Sequence, residues 1–153
     1  MQPITIISKY SFSETQKALE QAVPLLDSRF LTCVAQGDYA GALVALQAVP
    51  SLNHFIDPPG YFTAILLDIE NNGQEITYEM GNLLTVATMI RYKLDIAPQV
   101  LLQVNGDKAE FKFCALAPSV ARFHILDVDN IAKKLDEELT NTLRRVAGYY
   151  VSS

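Results

Sequence analysis

The 153 residues fit one folded domain, and half of them are apolar, enough for a sizeable core. With 12 basic against 17 acidic side chains, the formal net charge of -5 disfavours nucleic acid and anionic membrane as partners. No apolar run reaches the roughly 18 residues of a membrane span, and MQPITIISKY has neither the apolar stretch nor the cleavage site of a signal peptide, so the expected compartment is cytoplasmic.

Along the chain, Ile4, Ile6 and Ile7 predict a first strand, helped by Thr5. Ser13 and Gln16 have the spacing of a capping box, and Ser11 with Glu14 offers a competing one. The helix behind them carries Leu19, Ala22 and Val23, and Pro24 limits or kinks it. Residues 25–35 fit a short helix through Phe30, Leu31 and Val34, although RFLTCV equally suits a strand. Gly37-Asp38 breaks the pattern. Asp38 is a good N-cap for an Ala- and Leu-rich helix over 39–49 that Pro50 ends. That run is apolar nearly all round, which predicts cover on more than one side, by the core or by a second subunit. Residues 51–60 form a connecting loop with His54 and Asp57 in it. A strand follows over 61–69, then an Asn71-Asn72-Gly73 turn, then a returning strand over 74–79. On the latter, Ile76 and Tyr78 share one face, and Thr77 and Glu79 the other.

Gly81-Asn82 reads as a sharp turn, with the glycine at φ > 0 and Asn82 capping a short helix on which Leu83, Ala87 and Ile90 share a face. Ala97-Pro98 links this helix to a strand over 99–104. Asn105-Gly106 makes a tight hairpin into a strand over 108–114, where Ala109, Phe111 and Phe113 alternate with Lys108, Glu110 and Lys112. Residues 115–123 read as a loop. The last helix carries the stripe Val128, Ile131, Leu135, Leu139, Leu143 and Val146, with Asp127 or Asp129 as cap and Gly148 as stop. The sum is a single α+β domain, a mainly antiparallel sheet with helices packed on one face. Its outermost strands need guarding by charge or by a partner, so a homodimer is expected. Cys33 and Cys114 lack a CxxC metal spacing, and two buried, reduced thiols are expected.

Gly81-Asn82, Met89 and Ala97-Pro98, followed by a strand, a polar turn, another strand and Pro118-Ser119, have the order and spacing of the DUF302 family. Over about residues 55–145 the chain resembles a divergent member of it. The resemblance implies a small α+β fold and carries little assigned chemistry. The chain departs from the family at three places. Leu83 stands where the family continues Gly-Asn with Pro. Gln99 and Val100 replace a Leu-Arg pair after Ala-Pro. Phe113, Cys114 and Ala115-Leu116-Ala117 replace a Tyr-Asp and Arg-Pro portion before the serine. If those family positions form a site, this chain makes it more apolar.

The leading functional expectation is therefore a binding protein for a small, largely apolar molecule, held in a pocket between sheet and helices. Tyr61, Asn82, Arg91, Tyr92, Gln99 and Phe113 are its candidate lining, and the pocket is expected near the Gly81-Asn82 turn and the loops of Pro98 and Pro118. The alternative is a cofactor-independent isomerase or cyclase of a biosynthetic pathway, with Tyr78, Glu79 and His54 steering proton transfer. A third is an interaction module that docks through the Ala-rich helix. Each residue also has a plainer explanation. Asn82 caps a helix, Arg91 favours a helix C-terminus, and Tyr78 and Tyr92 fill a core. His54 and His124 each precede an aspartate by three residues, but two histidines and scattered carboxylates make no metal site. With no phosphate-cradling glycine loop either, neither cofactor nor metal is expected.

Overall fold

A computed structural model of the chain describes residues 3–23, 25, 33, 36–38, 40, 41, 62–82, 85, 88, 89, 91–94 and 96–150. The alternating stretches form five strands: β1 (Ile4–Ile7), β2 (Phe62–Glu70), β3 (Glu75–Asn82), β4 (Gln99–Asn105) and β5 (Lys108–Phe113). They make one sheet in the order β1-β5-β4-β3-β2, antiparallel throughout. The register builds the core in rows. Tyr78, Val100, Phe113 and Ile4 lie side by side across four strands, and Ile76, Leu102, Phe111 and Ile6 form the next row. Since side chains alternate along a strand, both rows project from the same face.

Two helices cover that face: α1 (Phe12–Ala22) through Leu19, and the long C-terminal α3 (Leu126–Val146) through Val128, Leu135, Leu139, Leu143 and Val146. Burying each of these α3 side chains contributes about 1.5–3 kcal/mol. That outweighs the missing N-cap side chain of α3, a deficit of about 1 kcal/mol. The cap is Ile125, and the expected caps Asp127 and Asp129 instead lie within the first turn, where they oppose the positive end of the helix dipole. At α1 the competing box is the one used. Ser11 Oγ accepts the Glu14 amide at 3.2 Å and donates to the Glu14 carboxylate at 3.1 Å. A hydrogen bond of 2.7 Å between the buried hydroxyls of Ser8 and Thr15 joins β1 to this helix. No described helix is long and apolar enough to cross a membrane.

Three expectations need correction. The turn at Gly81-Asn82 is not formed: β2 is long enough to keep pairing, and Thr63 and Phe62 stand opposite Gly81 and Asn82. Gly81 is thus extended, and positive φ falls instead at Gly37, Gly73, Gly106 and Gly148. Residues 115–123 are not a loop but a short helix, α2 (Leu116–Val120), followed by a 3₁₀ turn over Ala121–Phe123. Cys114 is exposed and Cys33 partly so, neither in a disulfide; β5 stops at Phe113, and the next residue turns outward. In the segment expected as a helix over 25–35, Leu25 makes an isolated parallel bridge to Ala64, while Cys33 has helical backbone. Ala40 and Gly41 are helical after Asp38, whose Oδ1 accepts the Gly41 amide at 2.9 Å. The remainder of the 39–49 helix lies outside the described residues, as does most of the 83–90 helix, of which Thr85, Thr88 and Met89 are helical.

Both sheet edges are guarded within the chain. On β1, the Tyr149 hydroxyl donates to the Ile7 carbonyl at 2.7 Å, and its ring has the cations of Lys9 and Arg144 at 4.7 and 4.8 Å from its centroid. On β2, a bulge between Leu66 and Asp68, the carboxylates of Asp68 and Glu70, and the Leu25 bridge interrupt the edge. Gly148 makes the Tyr149 contact reachable. It ends α3 at φ +96°, and a Cβ there would sit 3.0 Å from the Tyr10 ring. Gly148→Ala should therefore destabilise the protein by about 1–2 kcal/mol. The urea midpoint measures this, and an unshifted midpoint would count against the strained cap.

Candidate functional site

The helix-covered face leaves the candidate residue Tyr78 no access to solvent: it is 0% exposed. Its hydroxyl has no hydrogen-bond partner among the described residues. Burial, aided by the negative charge of Glu20, pushes the phenol well above its ordinary range. Glu79 is the next residue on the same strand and projects from the opposite face, beside Gln99 in the register. Tyr78 and Glu79 therefore cannot converge on one substrate. His54 and Tyr61, and the side chain of Asn82, lie outside the described residues.

Arg91 and Tyr92 form a surface clasp to α3. The Tyr92 hydroxyl donates to Asp127 Oδ2 at 2.7 Å, and Arg91 Nη1 lies 4.0 Å from the same oxygen. The hydrogen bond to Asp127 holds the Tyr92 phenol above its usual range. Both partners of the ion pair are largely exposed, so this contact is worth little in stability. It ties the end of one helical segment to the start of α3 and faces no described cavity.

A groove of about 480 Å³ lies on the other face of the sheet. Its position follows from the register. Because β4 and β5 are antiparallel, the first residues of β4 lie beside the last residues of β5, with Val100 opposite Phe113. The chain entering β4 and the chain leaving β5 thus rise at the same end and form two walls, residues 96–98 and 114–119. Between them, Thr77, Leu101 and Lys112 form one cross-strand row as the floor. The first wall is pinned to β3 by the Met80 amide, which donates to the Pro98 carbonyl at 3.0 Å. The second is pinned from a distance. Ala115 at the N-cap of α2 has no side-chain acceptor, and Asp136 of α3 supplies one, taking the amides of Leu116 at 2.6 Å and Ala117 at 2.9 Å.

Of the residues expected to bind a ligand, Gln99 and Phe113 line this groove, while Arg91 and Tyr92 do not. The expected Pro98 loop is part of it, and the Pro118 region contributes Ser119. Sequence reasoning missed Thr77, Leu101, Lys112 and Asp136. One signal was present: Leu101 is an apolar residue at an outward position of β4, between Gln99 and Gln103. A single outward apolar side chain is common on a protein surface, so this signal alone did not single out a site. Comparison with protein-family models, with curated proteins and with solved structures finds no match for this chain.

Proposed function

We propose that this chain binds a small, largely apolar molecule, and that it does so in the groove between residues 96–98 and 114–119 rather than between the sheet and its helices. The groove itself is the observation that carries this reading. Its volume of about 480 Å³ falls within the roughly 300–1,000 Å³ of small-molecule sites. Ile96, Ala97, Leu101 and Ala115 give it apolar surface, with the polar groups of Thr77, Gln99 and Ser119 placed among them. Its floor rests on strands, which hold a site more firmly than loops do. The positions on which the DUF302 resemblance rests also support it. Ala97-Pro98 and Ser119, far apart in sequence, meet at this groove, together with the departures Gln99 and Cys114.

Chemical-shift mapping with octanol, indole and octanoate tests the proposal. Shifts should cluster on Thr77, Leu101 and Ser119. Leu101→Arg, which puts a charge and extra volume on the floor, should weaken binding by about tenfold or more. Leu101 projects outward and is partly exposed, so the fold should survive, and circular dichroism checks that it does. Shifts confined to other surfaces, or no shifts with any of the three, would remove the proposal.

A further inference from the structure

We infer that the ligand of this groove is a monocarboxylate with an apolar body, its acid group taken by Lys112; this rests on the reading of the groove as a binding site. Charge complementarity carries the inference. The chain as a whole is acidic, with a net charge of -5, yet the one charged side chain among the described lining residues is a lysine. Lys112 stands on the floor beside Leu101, so a carboxylate bound to it would carry its apolar part along Leu101, between the two walls of the groove.

The ammonium group keeps capacity for such a partner. It offers three donors. Its one ion pair among the described residues, with Glu110 at 3.7 Å, is longer than a charged hydrogen bond. Glu110 is itself engaged elsewhere, accepting the side-chain amides of Gln103 and Asn105. The nearby Glu110 also sets the charge of the ligand. A phosphate with nearly two negative charges would need a second cation to offset that repulsion, and the described lining provides none. A single carboxylate needs only Lys112, with neutral donors such as Thr77 and Gln99 within the same groove.

The experiment compares octanoate, octanol and octylamine by calorimetric titration at low salt. Wild-type protein should bind octanoate about fivefold tighter than octanol, the upper end for a partly exposed pair. That ratio should shrink as salt screens the contact. Lys112→Met, which keeps the apolar stem, should bring the octanoate-to-octanol ratio to about one, and Lys112→Arg should retain the preference. Equal affinity for octanoate and octanol in the wild type overturns the inference and leaves the groove as a site for neutral molecules. Octylamine binding as tightly as octanoate overturns it as well. No binding of any of the three overturns both the inference and the reading beneath it.

Discussion

Tyr78→Ala should lower the unfolding free energy by about 3–5 kcal/mol, the cost of emptying a large aromatic site in a packed core. Tyr78→Phe should leave stability unchanged or raise it by about 1 kcal/mol. The contrast follows from the two parts of this side chain. Its ring is completely buried, in line with Val100 and Phe113 and beneath the helices, and it is the largest of the fully buried side chains among the described residues. Its hydroxyl is buried without a hydrogen-bond partner among the described residues, so the fold bears a desolvation cost that phenylalanine would remove. Alkaline pH gives a second readout. Burial first, and the charge of Glu20 second, raise the folded-state pKa above the reference value of 10.0. The unfolded phenol ionises near that reference and the folded one stays protonated. The contribution of Tyr78 is thus intact below about pH 10 and is lost as pH rises beyond it. Wild-type protein should lose stability more steeply than Tyr78→Phe above about pH 10. Denaturant titrations of the three proteins at pH 7 and above pH 10 measure both effects. If Tyr78→Phe abolished octanol binding at unchanged stability, the phenol would be functional and its placement as a core aromatic would be wrong.

The strands and the long helix were legible because their information is local. Alternation in 108–113 and the stripe from Val128 to Val146 each declare a buried face within a few residues. The hairpin after β4 was equally plain, with its two-residue turn one position later than expected, at Gly106-Asp107, since Asn105 still pairs with Lys108. Gly81-Asn82 failed for a reason outside its own neighbourhood. A Gly-Asn pair tolerates a turn but does not impose one, and the length of the partner strand β2 decided the outcome. The same holds for the site. Gln99 and Phe113 were named from the family resemblance and from strand alternation, but which residues share a groove depends on which strand ends adjoin. Strand order sets that, and spacing alone cannot choose it. The opposite faces of Tyr78 and Glu79 were legible in the strand alternation, and the pleat that separates them rules out a shared substrate.

Asp136 is the residue whose role was least visible in sequence, and its substitution should have the widest consequence. It sits beside Leu135 on α3, where a partly buried carboxylate reads as the solvated flank of the helix. In the fold it closes the N-terminus of α2, some twenty residues earlier, through two charged hydrogen bonds. A helix of five residues has too few internal bonds to hold itself in place. Its position therefore depends on this cap and on the burial of Leu116 and Val120. Hydrogen bonds to a charged group are worth about 1.5–3 kcal/mol each, less where solvent screens them. Asp136→Ala should accordingly destabilise the protein by about 2–3 kcal/mol in total. Asp136→Asn, which keeps one acceptor oxygen, should fall between this and the wild type. Because Leu116 and Ser119 belong to the wall that α2 holds, Asp136→Ala should also weaken octanol binding and speed amide exchange at Leu116 and Ala117. Gly148→Ala, a destabilising change at the other end of α3, serves as the control. It should shift the denaturation midpoint while leaving those two amides and octanol affinity unchanged at low denaturant. Equal protection of Leu116 and Ala117 in wild type and Asp136→Ala would show that α2 is held by packing alone, and that Asp136 does not position the groove.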